Sequence, residues 1–499
     1  MAQSPVSLRL KFFFAIGQAA ESIKNFGFGT LLMLYYNQVL GLSGSYAGLA
    51  VAIAIAADAI SDPAVGSWSD GIRSKLGRRH PFMYAAALPL AVTYYFLFMP
   101  PEGLTEFELF LWFTTFAILV RTALTLFHVP YLSLGAEMTQ DYHERTKIVV
   151  FRTAFGIIAS FVVIAIAWNF FFIKTPDNPT PQLTREPYFE YALLSSIIMS
   201  SMMFVSTWGT KEVIPHLAGA RQAARPFSMS KVYSDLFQAL QNPSFRALFV
   251  GTLLFFIYAG IQAALSMHLK TFYWELDTKA IEYWQYAAVA GGIFGLPLVP
   301  LFNRWFDKKW TVIIGVIGAA IAGTLPVMMK VFGLMPSDPD ILVPILVALA
   351  LLGSVSGVQA GVTVASMMGD IADEHELNHG TRQEGIYFGS YSFSAKCTSA
   401  LGNLCAGFIL DIISFPTNSK PGMVPEDVLT HFGWVYGVVA LILIFSTWVF
   451  WPYSLDKRRH AEIVEALSKR RMADPDPVPV EEAPRTPLPG NISPLPAGD

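Results

Sequence analysis

Charge is scarce in this chain: Asp, Glu, Lys and Arg make up 14% of its 499 residues, against roughly 25% in soluble domains. Cysteine is nearly absent, since only Cys397 and Cys405 occur. They lie in one apolar run, about 12 Å apart along a helix, too far to bridge each other. This excludes an internal disulfide framework and a cysteine zinc site. There is no excess of one sign either, because 34 basic and 37 acidic residues give a formal net charge of -3. No polybasic field exists for nucleic acid, so that class of partner drops out. Glycine-rich phosphate loops, a G-x-S-x-G elbow and haem-attachment motifs are all missing, and an enzyme is not expected. What is plentiful is apolar surface, 53% of residues with a mean hydropathy of +0.46. Twelve spanning helices of about 20 residues need about 240 such positions, and the chain has enough.

Apolar stretches run over 12–40, 44–68, 81–101, 107–136, 148–173, 188–209, 243–271, 283–303, 311–332, 341–369, 385–415 and 431–453, which predicts twelve transmembrane helices. The first begins after Lys11 and contains Glu21 and Lys24. It lacks the short apolar core and cleavage site of a signal peptide, and reads as a retained span. Threaded from an inside N-terminus, the inside segments hold 25 of the 34 basic side chains and the outside segments six. That asymmetry puts both termini in the cytoplasm.

The polar interruption at 210–242 divides the chain into an N-terminal six-helix bundle (1–209) and a C-terminal one (243–453). A weak echo supports the division: Gly66 to Asp70 running on to Gly77, Arg78 and Arg79 after helix 2 recurs as Asn303 to Asp307, Lys308 and Lys309 after helix 8. Repeats at half-chain separation are a habit of transporters. Residues 454–473 read as an amphipathic cytoplasmic helix, and 474–499 as a disordered proline-rich tail.

Ionisable groups inside spans cost at least about 2.5–3.5 kcal/mol, so each is a functional candidate or a paired structural charge. On helix 2, Asp58 and Asp62 stand at i,i+4 on one face with Ser61 nearby. Two carboxylates on one face suit a hard cation such as sodium, which wants oxygen ligands, or a shared proton. The alternative is that Asp62, just before Pro63, caps or pairs with Arg73 or Arg78. Helix 4 carries Arg121, Thr125 and His128 at i, i+4 and i+7, one polar stripe that should face a cavity. Arg121 offers a fork for a carboxylate or phosphate, or pairs with Glu21 or Asp58. His128 serves as a proton relay or hydroxyl partner, or is a satisfied neutral ring. Glu21 and Lys24, at i,i+3, are placed to neutralise one another. Lys396 has no local partner and is expected to pair across the halves with Asp58 or Glu21, or to meet substrate.

His375, Glu376 and His379 match the H-E-x-x-H zinc protease spacing. They sit at a polar junction with Asp370, Asp373 and Glu374, with no third ligand to nominate. A membrane metalloprotease is therefore the minor alternative, beside a passive channel and a sensor.

Three stretches carry a resemblance. Asp58 to Asp62, Pro63 and Gly66, followed by Gly77, Arg78, Arg79, His80 and Pro81, are similar to the glycoside-pentoside-hexuronide:cation symporter family of the major facilitator superfamily, the melibiose permease-like transporters. His128, Val129, Pro130 and Tyr131 through Glu137, Thr139, Arg145 and Arg152 resemble its helix 4 to 5 junction. Asp370 through Gly380, Thr381, Arg382, Glu384 and Gly385 to Lys396 resemble its helix 10 to 11 signature. The resemblance covers residues 10–455 and implies an all-α membrane protein, two pseudo-symmetric six-helix bundles in the major facilitator fold. It implies symport of a glycoside or related polar solute with sodium or a proton, and no other cofactor. It places the cation at Asp58, Asp62, Ser61 and Thr125, and aligns Lys396 and Arg152 with functional positions. It also makes the loop bearing His375 and His379 polar without zinc.

The sugar site departs from the family: Ser22 and His128 stand where melibiose permeases place galactoside-binding aspartates, and a small helix 4 residue has become Arg121. A galactoside is not expected, and an anionic or otherwise polar glycoside is, with Ser22, Glu21, Arg121, His128, Arg152 and Lys396 facing it. The H-V-P-Y run is also similar to sodium-dependent lysolipid symporters, which keeps an anionic amphiphile open. Arg73, Arg78 and Arg79 with Asp70, and Arg382 with Asp370 or Glu384, are expected to form cytoplasmic latches that break in the inward-open state. The resemblance and the short termini place the chain, as a monomer, in the lipid bilayer of a bacterial inner membrane.

Overall fold

A computed structural model describes residues 6–72, 74–139, 141–217, 234, 237, 239–379, 384–451, 453 and 455–473, and its regular elements are all helical. Helix α1 covers 8–39 in pieces, Leu8–Ile16 and Gln18–Phe26 followed by the widened turns Gly27–Leu31 and Tyr35–Val39. Then come α2 (Gly44–Gly71), α3 (His80–Leu97), α4 (Glu106–Glu137), α5 (Tyr142–Ile166) and α6 (Glu186–Gly209). The second half opens with α7 (Pro243–His268). Thr278–Val331 is continuous by hydrogen bonding over 54 residues, about 80 Å at the helical rise and too long for one bilayer crossing. It reverses at Asp307, whose φ of 66° is non-helical, and so supplies two spans, α8 (278–306) and α9 (308–331). After these follow α10 (Pro339–His379), α11 (Glu384–Ile412), α12 (Glu426–Val449) and the surface helix α13 (Lys457–Ala473).

Among the described residues, eight helices are long and apolar enough to cross a membrane, the α8–α9 arm pair counting as one. Only α1, α3 and α11, whose polar positions dilute them, complete the set of twelve. The chain is a multi-pass membrane protein. In hydrocarbon every backbone group must be satisfied within its own helix, so the ends matter. Thr105 and Glu108 form a reciprocal cap on α4, Asp141 caps α5, Asn242 caps α7 and Asp277 caps α8.

Helices α1 to α6 pack among themselves through the α2–α4, α3–α4, α3–α6 and α1–α5 pairs, and α7 to α12 through α7–α11, α7–α12, α9–α12 and the α8–α9 arms against α10. Among the described residues the halves meet chiefly through α2 with α11, α5 with α8, and α1 with α7. Apart from Lys396 on Asp62, midway along α11 and α2, the polar contacts of these pairs gather at the face away from the termini. There the Asp411 carboxylate of α11 accepts from the amides of Gly44 and Ser45, capping α2 from the other half. Trp168 donates to Gln285 at 2.8 Å, Asn169 to Glu282, and Asn37 meets His268 at 2.9 Å. Nearby, Gly44 and Gly48 lie directly against Gly407 and Asn403. The face opposite the termini is sealed.

On the terminal face the ion pairs stay within each half. Arg79, 5% exposed, binds Asp70 at 2.6 Å and Glu137 at 2.7 Å, and Arg78 binds Glu137 at 2.9 Å. Asp370 is held by Lys308 at 2.7 Å, with His460 of α13 3.4 Å away. Lys308 reaches Asp370 because its helix α9 starts beside the α10 end; Arg73, Arg382 and the side chains of Glu384 and His379 lie outside the described residues, and the latches expected of them fall there. The Arg79–Asp70 and Lys308–Asp370 pairs are clamps within a bundle. They stand together with the contacts that close the opposite face. Removing one partner of a largely buried pair costs about 3–5 kcal/mol. Arg79→Ala should therefore lower the thermal unfolding temperature of the purified protein clearly, whereas Lys147→Ala, at an exposed pair, should leave it within a degree or two.

Candidate functional site

Midway along the bundle, α1, α2, α4 and α11 bring their charged residues to one place. The i,i+4 spacing on α2 does put Asp58 and Asp62 on a common face, and Pro63 follows within the same helix. Opposite them runs the α4 stripe. Arg121 Nη2 donates to Asp58 Oδ2 at 2.9 Å, and the Thr125 hydroxyl lies 2.9 Å from Asp58 Oδ1 and 2.8 Å from Asp62 Oδ1. One turn further, His128 Nε2 sits 2.6 Å from Glu21 Oε2. From the other half, Lys396 Nζ donates to Asp62 Oδ2 and stands 3.9 Å from Asp58 Oδ2.

Burial grades these groups. Thr125 is 4% exposed and the side chains of Asp58 and Arg121 14% and 13%, while Asp62 and Lys396 keep 33% and 27%. Water reaches the Asp62 side of the cluster. Arg121 is further held by the face of Phe28, 5.5 Å from its ring centre.

The helix 2 to helix 4 part of the expected site is assembled, and some partnerships differ from those read in the sequence. Lys396 pairs with Asp58 at 3.9 Å, as expected, and more closely with Asp62, which was not expected; Glu21 is not among its partners. Glu21 turns to His128 and to Gln18 Nε2 at 2.7 Å, and Lys24, buried, donates to Asn25 Oδ1 at 2.7 Å. The i,i+3 spacing that placed Glu21 beside Lys24 is outcompeted by an imidazole from α4. Ser61 donates to the Asp58 carbonyl at 3.4 Å and Ser22 to the Gly156 carbonyl at 2.9 Å, so both hydroxyls are turned to backbone. Arg152, half-buried on α5, has no ion-pair partner among the described residues. His375 meets the Tyr387 hydroxyl through Nδ1 at 2.9 Å.

Sequence reasoning passed over Asp411 and Glu282. Asp411 carried a usable signal, a lone acid inside an apolar run, and it proves to cap α2. Glu282, 3% exposed, sits one residue before the apolar stretch at 283 and gave none.

An arrangement of two carboxylates bridged by one hydroxyl, with a cation from each half, can hold or exchange a small cation and can sense whether the halves are together. Comparison with known proteins bears on this. A family model described as MFS/sugar transport protein matches residues 13–457. The chain is 24% identical over 453 residues, 90% of its own length and 92% of the other's, to a putative glycoside/cation symporter, YagG, of Escherichia coli. It is 23% identical to a glucuronide carrier protein homolog of the same organism, over 92% of this chain and 95% of that one. Among solved structures it resembles the nucleoside transporter NupG with a TM-score of 0.61 at 13% identity, over 89% of this chain and 99% of that one.

Proposed function

The chain belongs to the MFS/sugar transport protein family, and on that premise we propose that it is a cation-coupled symporter of a polar glycoside, working by alternating access about the Asp58–Asp62 site. The observation that carries this reading is Lys396 on Asp62: an ammonium from one half neutralises a carboxylate of the other. When the halves separate that pair must part, and the carboxylate then needs another positive partner. A cation that binds there and a substrate that binds beside it are coupled through the same rocking step.

The excess of basic residues on the terminal face supports a cytoplasmic position for it; on that reading the sealed face is the outer one and the structure faces inward. Substrate would meet Glu21, His128 and Arg152 across the water-reached side of the cluster. Arg152 has no carboxylate partner among the described residues, and a guanidinium suits a carboxylate of the substrate bidentately. This favours a uronide, in keeping with the relative named as a glucuronide carrier homolog. Each chain contains a whole pathway between two bundles, 1–209 and 243–453, so a monomer suffices.

The test is uptake of a panel of labelled glycosides and uronides into proteoliposomes under an imposed cation gradient. Accumulation of a uronide above equilibrium, at least about tenfold less in Arg152→Gln, supports the reading. Transport that proceeds only down the solute's own gradient would make the chain a facilitator.

A further inference from the structure

We infer that Arg121 is a resident cation of the Asp58–Asp62 pair and that it makes the site indifferent to sodium. This rests on the symport reading and concerns which ion that symport excludes. A hard cation needs several free oxygens. Here three of the four carboxylate oxygens are engaged at any one time: Asp58 Oδ2 by Arg121, Asp62 Oδ2 by Lys396, and either Asp58 Oδ1 or Asp62 Oδ1 by the single Thr125 proton. The two side-chain cations already balance the two carboxylates, and Glu21 is engaged with His128 and Gln18. Lys24, buried a turn away, adds positive charge of its own. A sodium ion would bring surplus charge beside the largely buried Asp58 and Arg121, where most of the carboxylate oxygens already have donors.

The two resident cations differ in what movement does to them. Lys396 rides on α11 in the other half and leaves as the halves rock. Arg121 sits on α4, packed against α2 within one half, and its guanidinium stays charged throughout. It travels with Asp58, so separation of the halves frees Asp62 alone. One carboxylate beside a single hydroxyl, with Ser61 turned to backbone, is too few oxygens to strip water from sodium. The donor set does not fit that ion, and the residue responsible is the one at which the sequence departs from the family's small helix 4 residue.

The experiment measures binding of radioactive sodium to the purified full chain, comparing wild type with Arg121→Gly, Arg121→Gln and Arg121→Lys, each checked for a monodisperse, folded profile. Wild type and Arg121→Lys are expected to show no saturable binding. At least one folded neutral variant should acquire saturable binding, tighter than wild type by at least about tenfold. Saturable sodium binding by wild type overturns the inference, as does its absence in every folded neutral variant. Neither outcome touches the symport reading, which stands or falls on accumulation under an imposed cation gradient, sodium or proton.

Discussion

Gly407→Val is expected to cut gradient-driven uptake by about a hundredfold. A Cβ at Gly407 would fall on the carbonyl oxygen of Gly44 and 3.1 Å from the Gly48 Cα; one at Gly48 would lie 2.6 Å from the Asn403 carbonyl oxygen. Both obstacles are backbone, which cannot swing aside as a side chain does. Small residues are what let helix backbones approach so closely in a membrane, and overpacking such a contact costs about 1–3 kcal/mol. A penalty of about 3 kcal/mol on the sealed state alone shifts the balance of states by about 150-fold. In a background lacking Cys397 and Cys405, a cysteine in place of the buried Thr271 reports the change. It should react with an impermeant thiol reagent faster in Gly407→Val. Gly357→Val, with open space around its Cβ, should alter neither uptake nor labelling. Equal behaviour of the two variants would show that the α2–α11 seam does not open.

The two aspartates should separate cleanly. Asp62→Asn removes the partner that Lys396 leaves and regains, and is expected to lower accumulation under a cation gradient by at least about a hundredfold while exchange of substrate for substrate persists. Asp58→Asn strands a largely buried guanidinium, at a cost of about 3–5 kcal/mol. It should depress the yield and thermal stability of folded protein, and Arg121→Gln in addition should restore them. Full accumulation by Asp62→Asn would remove that carboxylate from coupling, and a stable Asp58→Asn protein would show Arg121 to have another partner.

The spans were legible because a bilayer leaves few alternatives: apolar length fixes their number. The polar stripe of α4 and the shared face of Asp58 and Asp62 followed from helical periodicity alone. What the sequence could not convey is rotation and tilt between helices. Whether Lys396 meets Asp58, Asp62 or Glu21 depends on shifts of about one helical turn, about 5.4 Å, and in the structure it sits against Asp62 with Asp58 at 3.9 Å. His128 taking Glu21 from Lys24 has the same origin. The joint at Asp307 escaped as well, since the apolar runs at 283–303 and 311–332 suggested a loop where a single residue in a left-handed conformation makes the reversal.

That joint has an equivalent in the first half, the connection between α2 and α3, and the two are built unequally. In the first half several residues, Ser74 to Arg79, turn between the helices, tied by the Ser74 hydroxyl to the Gly77 carbonyl. In the second, Asp307 turns the chain by itself, its carboxylate accepting from the amides of Lys308 and Lys457, so that the amphipathic α13 is stitched to the hinge. There is no slack at this corner. Helices α8 and α9 behave as the two arms of one bent lever, and a displacement of α8 at the sealed face arrives at α9, and through Lys308 at α10, without being absorbed on the way. The second half would then be the stiffer rocker, and the first the one that yields.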